Sequence, residues 1–478
     1  MSLDLAARPQ LAEVHAFERL GRHVLFDVAS MTFYEVSPIV HHVVEALAAP
    51  DARAFRELAG RYRRRDLAAV LAELRQAGVL DRPSPSPARA AAPRPRPAQI
   101  RTLELMVTHG CNLRCRYCYG ADPRPGWESA PHLFGSRASA MPWEVAKLGV
   151  DFLLGASGSH RNLGLVFFGG EPLLELPLIR RVTAYVRDRE AASGKRVQLS
   201  LSTNGTLLDA AAVDFLVANR IGCQVSIDGP APVQDANRAT ADGRGSYAAL
   251  LPGVRRLIAA RPGRVPARVT VASGPVDVPA IVDHLLGLGF GSVHVEPALG
   301  GCGAARLSDD EIVALERQTE AVAEKLVGSV LSDRIFDFTN LVRFVRATRV
   351  VEERLHHHCG AGRGYLALAR DGSFYPCHRF VGMAEYRLGD LAHGLAAAPR
   401  RRFTELTVGA RPGCSACWAR HLCGGGCWKH AVDAHGGLER PDERASCRLI
   451  RHQIECAMSI NAALAVDDQA ILGSAART

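Results

Sequence analysis

Three features of the sequence predict an α/β protein, a partial (β/α)6 barrel set between two smaller modules. Six short apolar segments alternate with helix-like stretches between residues 101 and 306; prolines crowd the segment just before them; and cysteines concentrate at 111–118 and again beyond residue 350. Strand–helix–strand alternation implies parallel strands joined by right-handed crossovers. Six units fall short of the eight that close a barrel, so an open one is expected, with functional residues at the carboxyl ends of its strands.

Bulk properties narrow the class. The 478 residues are 47% hydrophobic and 22% charged, a globular composition long enough for several domains. No apolar run reaches bilayer length, and the first residues lack the basic-then-apolar layout of a secretion signal. A cytoplasmic protein without a membrane partner is therefore expected. In that compartment the 13 cysteines point to metal ligation rather than disulfides. The net charge of +9 raises nucleic acid as a partner, but the arginines are dispersed and the aromatics, only 6%, do not interleave with the basic runs at 63–65 and 400–402. Nucleic-acid binding is disfavoured on that pattern.

In chain order, residues 22–28 alternate with Val24, Phe26 and Val28 on one face, and 32–36 return with Tyr34 and Val36 on one face. Ser37-Pro38 then reads as an N-cap and a first-turn proline, followed by Val40, Val43, Val44 and Leu47 at helical spacing. A second helix is expected at 67–77. Hairpin plus helices is a winged-helix-like plan for residues 1–82, which serves DNA binding or dimerisation as readily as peptide binding. Residues 83–100 form a Pro/Ala/Arg linker, extended and semi-stiff, suited to tether a mobile module. The barrel, 101–306, has expected strands at 102–108, 163–168, 197–202, 222–227, 268–271 and 292–295. Expected helices lie at 142–154, 177–192, 209–219, 247–260 and 278–288. A helical connector, 307–355, opens with the capping box Ser308-Asp-Asp-Glu311. Residues 356–478 form the carboxyl-terminal domain.

The chemistry begins at Thr-His-Gly-Cys-Asn-Leu-Arg-Cys-Arg-Tyr-Cys-Tyr-Gly, residues 108–120. Cys111, Cys115 and Cys118 have the spacing C-x3-C-x2-C, which lets one loop wrap one corner of an iron–sulfur cube. Four irons take four ligands, so three cysteines leave one iron open for chelation. Structural zinc is closed by four ligands, and the next cysteine is distant Cys223. Gly169-Gly170-Glu171-Pro172 follows the second strand; the glycines permit close backbone approach, and Glu171 offers a carboxylate to an ammonium group. Thr203 and Asn204 end the third strand, Ser226 and Asp228 the fourth. These four are also ordinary turn formers, and Arg238 is equally compatible with a solvated loop, so both readings stand.

With Tyr117 between its last two cysteines, the 111–118 loop is similar to the signature of the radical S-adenosylmethionine (radical SAM) enzymes. That resemblance implies a [4Fe-4S] cluster on Cys111, Cys115 and Cys118, with S-adenosylmethionine at its open iron as the catalytic centre. It implies that Gly169, Gly170 and Glu171 hold the cofactor's amino group, and that Tyr117, Thr203, Asn204, Ser226, Asp228 and Arg238 bind the rest, with Glu296-Pro297 near the adenine. Gln234 departs from the family's His-Asp-x-x-Arg stretch.

Beyond residue 350 come Cys359, Cys377, then Cys414, Cys417, Cys423 and Cys427 as C-x2-C-x5-C-x3-C, then Cys447. A zinc ribbon is the rival reading, but the run resembles the SPASM extension of radical SAM peptide maturases. The resemblance implies two auxiliary [4Fe-4S] clusters, three in all. Cys414, Cys417, Cys423 and Cys447 would hold the outer one, and Cys359, Cys377 and Cys427 the inner one. Tyr365 stands where fully ligated relatives have a further cysteine. The inner cluster is then open, or capped by a group such as one of His356, His357 and His358, which otherwise form an exposed polar run. Tyr-Pro-Cys-His-Arg-Phe-Val-Gly, residues 375–382, is similar to the thioether-forming maturases, most of all those that mature quinohemoprotein amine dehydrogenase. This implies a small substrate polypeptide whose cysteine sulfur is joined to an Asp or Glu side-chain carbon. It also implies a leader segment bound by the amino-terminal module through strand addition, and a flavodoxin or ferredoxin as electron donor. Other readings are a SPASM maturase that oxidises Ser or Cys to an aldehyde or joins carbon to carbon, and an iron–sulfur redox-sensing DNA-binding regulator. Cys223 and Cys456 read as packing residues. Cys302 is a candidate substrate or cluster contact.

Overall fold

The computed structural model describes residues 9–49, 53–82, 99–120, 132–134, 136–137, 139–299, 305–332, 335–349 and 354–464. Most of the expected linker, and Cys302, lie outside the described residues. The chain opens with an antiparallel meander, β1 (Val14–Arg19), β2 (Arg22–Asp27) and β3 (Thr32–Glu35), followed by α1 (Pro38–Ala48), α2 (Arg53–Arg61) and α3 (Arg64–Gln76). One face of this sheet, with Val14, Ala16 and Leu25, packs on its own helices. The other face gives Phe17, Val24 and Phe26 to the main hydrophobic core. The sheet also contacts the carboxyl-terminal region. His15 stacks on Trp418 with ring centroids 3.9 Å apart, Phe26 meets the edge of the same indole, and Arg420 pairs with Glu13.

The barrel begins with β4 (Thr102–Thr108), the short strand β5 (Leu113–Cys115) and a hairpin of β6 (His132–Leu133) and β7 (Ser136–Arg137). It continues through α4 (Trp143–Ala156), β8 (Asn162–Gly169), α5 (Leu176–Ser193), β9 (Arg196–Thr203), α6 (Ala210–Ala218) and β10 (Gly222–Ser226). Then follow α7 (Ala231–Asn237), β11 (Arg238–Thr240), α8 (Tyr247–Ala260), β12 (Pro266–Val271), α9 (Val278–Gly287) and β13 (Ser292–Pro297). Strands β4, β8, β9, β10, β12 and β13 lie side by side, all parallel. Burial alternates along β8, β9, β10, β12 and β13, whereas β4 is buried from Leu103 to Thr108. On β9, Val197, Leu199 and Leu201 are buried, whereas Arg196 and Gln198 are exposed and Ser200 and Ser202 half-buried. Gln224 and Ser226, Arg268 and Thr270, and His294 and Glu296 occupy the same face of the neighbouring strands. Closed barrels fill their interior with side chains. This half barrel keeps a polar, accessible inner face.

The connector holds α10 (Asp309–Leu331), opened by the capping box of Ser308 and Glu311, then β14 (Asp337–Phe338) and α11 (Thr339–Ala347). β14 extends the sheet beyond β13; two residues are too few to show alternation in sequence. At the other edge, β15 (Tyr365–Leu368) pairs parallel with β4 and continues antiparallel into β16 (Ser373–Tyr375), β17 (Gly389–Asp390) and β18 (Gly394–Leu395). The cysteine-rich region is thus not a separate layer. It is part of one eleven-stranded sheet, followed by α12 (Ala397–Thr404), α13 (Arg420–Cys423), α14 (Trp428–His435) and α15 (Ser446–Ala463). No described helix is long and apolar enough to cross a membrane.

Removing the indole that seats the first sheet, Trp418→Ala, is expected to cost about 3 kcal/mol of packing. Hydrogen exchange should report it as faster opening of β1 and β2, with β8 and β9 unaffected.

Candidate functional site

The cysteine loop is held at both ends. At its start, Gly169 has φ +147°, and a Cβ there would lie 2.1 Å from the Thr108 carbonyl oxygen, so only glycine lets β8 close on β4. The Gly170 amide donates to that carbonyl at 3.1 Å, and the Glu171 amide to Gly110 O at 2.9 Å. At its far end β5 pairs antiparallel with β11, which sets Cys115 opposite Arg238. The Arg116 guanidinium adds a 2.7 Å bond to Asn237 Oδ1.

Cys111, Cys115 and Cys118 line a cavity of about 440 Å³ at the carboxyl ends of the strands, together with Tyr117, Gly169, Gly170, Thr203, Asn204, Ser226 and Arg238. Burial pushes the Cys111 thiol up to about 12 and raises Cys115 further. Thiols raised in this way become thiolates only against a strongly cationic centre, and soft sulfur donors are what an iron–sulfur group requires. Arg238 is buried, and its Nε has no hydrogen-bond partner. The thiols and this free donor suit an iron–sulfur group with a small anionic ligand beside it.

Two of the expected cofactor residues stand behind the cavity wall. Glu171 does not line the cavity. Its carboxylate is fully buried and accepts from Thr203 Oγ1 at 2.7 Å, the Asn204 amide at 2.7 Å and the Leu173 amide at 3.0 Å. Asp228 is also buried, and accepts from the Tyr117 hydroxyl, from Arg238 Nη2 at 3.0 Å and from the Thr270 amide at 2.8 Å. Both carboxylates hold wall residues in position. Gln234, which replaces the histidine of relatives, accepts from the Asp228 amide at 2.8 Å and donates to Ser246 Oγ at 2.9 Å, so it fixes the Asp228 turn.

The opposite wall was missed in sequence. Glu104, buried in the middle of apolar β4, accepts from the His378 amide at 3.1 Å and lies 2.9 Å from His378 Nδ1. The His378 ring stacks on Phe168 with centroids 4.4 Å apart, and His378, Tyr119, Tyr365 and Arg379 all line the cavity. Arg379 Nη1 reaches His430 Nε2 at 2.9 Å and Cys427 Sγ at 3.6 Å. Burial, with Arg379 beside it, drives His430 down to about 3, so it is neutral and accepts that bond. Burial works against the charge on Glu296, yet Arg268, at 3.3 Å, and His294 hold its carboxylate well below the usual range. The signal for Glu104 is a lone acid inside Thr-Leu-Glu-Leu-Met-Val-Thr.

The remaining cysteines fall into two neighbourhoods. Cys377 feels Cys427 and Cys359; Cys447 feels Cys423, Cys414 and Cys417. Tyr365 lies beside Glu104 and Cys377. The three histidines do not form an exposed run: His357 is buried, His358 Nδ1 donates to Cys423 O at 2.8 Å, and His356 packs against His421. Cys223 and Cys456 are buried in the core.

Residues 105–295, which contain the cysteine loop, match the model of the Radical SAM superfamily. The chain is 25% identical over 332 residues to a serine-type anaerobic sulfatase-maturating enzyme of Klebsiella aerogenes, covering 67% of this chain and 77% of that one. Among solved structures, anSMEcpe with bound AdoMet aligns at a TM-score of 0.65 and 20% identity, over 78% of this chain and 98% of that one. Streptococcus suis SuiB bound to precursor peptide SuiA aligns at 0.52 and 13% identity, over 91% and 99%.

Burial raises the Glu171 carboxyl to about 7 against its three hydrogen bonds. The native state therefore binds the proton more tightly than the unfolded state. Stability should fall as pH rises from about 4.5 to about 7, by up to about 3 kcal/mol, then level off. In Glu171→Gln this slope should vanish, as measured by denaturant midpoints across that range.

Proposed function

We propose that the chain is a radical SAM peptide maturase that joins a cysteine sulfur to an Asp or Glu side-chain carbon within a small polypeptide, such as a quinohemoprotein amine dehydrogenase subunit. The observation that carries it is one cavity with two unlike walls: three cysteines and Arg238 on one side, the Glu104–His378 pair adjoining Cys377 on the other.

Cys111, Cys115 and Cys118 would hold a [4Fe-4S] cluster, with S-adenosylmethionine beside it on Arg238, Asn204, Ser226 and the Gly169-Gly170 backbone. When bound, this pair supplies the electron and the 5′-deoxyadenosyl group that removes hydrogen from an unactivated carbon. The protein's share is placement and the exclusion of water. Glu104 occupies His378 Nδ1 and so leaves Nε2 to take the proton of a substrate thiol. Cys359, Cys377 and Cys427 would hold an inner auxiliary cluster, with Tyr365 where a fourth cysteine would stand, and such a cluster would supply the acceptor for the one electron left when the sulfur–carbon bond forms. Cys414, Cys417, Cys423 and Cys447 would hold an outer one. A flavodoxin or ferredoxin would deliver electrons. β3 has β2 as its neighbour among the described strands, and Tyr34 on it is 52% exposed; a leader segment would add to that edge.

Aldehyde formation is the second reading, favoured by the sulfatase-maturating relative. Mass spectrometry with thiol alkylation separates them, since a thioether loses two hydrogens and consumes a thiol.

Cys115→Ala should abolish 5′-deoxyadenosine formation. His378→Gln should retain it yet slow peptide modification by about 10²-fold or more. Equal loss in both steps would remove His378 from proton transfer.

A further inference from the structure

A second cavity, about 2270 Å³, opens at the other end of the half barrel, among the amino ends of β4, β8 and β9 and residues 356–365. Arg101, Lys195, Arg196, Arg220 and Arg363 line it. None of the five has a carboxylate partner among the described residues. Lys195 Nζ donates only to neutral oxygens, Ser157 Oγ at 2.6 Å, Gly158 O at 2.8 Å and His160 O at 3.2 Å. Arg187 and Glu190 also line the cavity and cancel each other at 2.8 Å, which leaves Glu405 as the opposing charge. Uncompensated cations in a concave wall focus their field and attract anions.

The two cavities share Tyr365. Between them runs the polar inner face of β9, Arg196, Gln198, Ser200 and Ser202. Its eight residues, at ~3.3 Å each, span about 25 Å, the length of an extended peptide segment of similar residue count, with side-chain hydroxyl and amide groups along it. We infer that the substrate polypeptide enters at this amino-terminal mouth, and that the mouth selects a segment rich in carboxylates; this rests on the peptide-modifying function proposed above. The chain's own residues 83–98 are an unsuitable occupant, since they carry Arg89, Arg94 and Arg96 and no acid. A single-stranded nucleic acid would need aromatic stacking platforms, and Tyr365 is the one Phe, Tyr or Trp among the lining residues.

The test uses cluster-reconstituted full-length protein and fluorescein-labelled Gly/Ser dodecapeptides bearing either glutamates or lysines, with an oligothymidylate of similar length as competitor. By anisotropy the wild type should bind the glutamate peptide about tenfold or more tighter than the lysine peptide, less so at high salt. The double variant Arg196→Glu/Arg220→Glu should invert that preference, an outcome that misfolding does not produce. An unchanged preference, equal loss of both peptides, no binding by the wild type, or displacement by oligothymidylate at lower concentration than the glutamate peptide overturns the inference. Cofactor cleavage in the same wild-type preparation is scored separately. Its absence would sink the proposed function, whereas inverted charge preference would still establish the mouth as an acidic-peptide site.

Discussion

Asp228 and Arg238 form an ion pair whose side chains are 0% and 8% exposed, and the rest of the site depends on it. Arg238 opens β11, and β11 is the strand that β5 needs as a partner, so the pair fixes where Cys115 stands. Asp228 meanwhile ties the Tyr117 hydroxyl and the Thr270 amide, linking the cysteine loop to β12. Buried ion pairs add little net stability over apolar packing, but losing one partner costs about 3–5 kcal/mol because the other charge is stranded. Here the pair's role is register. Gln234 and Ser246 hold the Asp228 turn from behind, so the geometry is fixed before any ligand arrives.

Much of this was legible in sequence because five of the six barrel strands alternate between buried and open faces, the signal a half-buried strand emits, and β4 reads as a short buried apolar run. Their ends, and with them the cysteine loop and the Gly-Gly-Glu-Pro turn, could be placed in order. What alternation cannot give is direction within a turn. Glu171 and Asp228 both bond neighbouring amides and side chains behind the cavity wall, because a short carboxylate at a strand end satisfies nearby amides readily. β14, β17 and β18 are two residues each and have no pattern to read. Glu104 was passed over inside an apolar run, although a buried acid needs a reason; His378 is that reason.

The sheet's continuity across β15 and β4 makes the two chemical neighbourhoods parts of one rigid surface. Glu104 on β4 reaches His378, one residue past Cys377, without crossing a flexible linker. The distance between the walls of the cavity is therefore set by strand spacing, not by the docking of separate bodies. Rigid elements position chemistry better than loops do.

The meander at the start of the chain lends Phe17, Val24 and Phe26 to the common interior. A shortened chain beginning at residue 99 would bare to water the apolar surface those three side chains cover and invite clumping. Grafting a different amino-terminal module would have to reproduce the contact with the indole of Trp418 and its surroundings, so the two parts of the chain are constrained to change together.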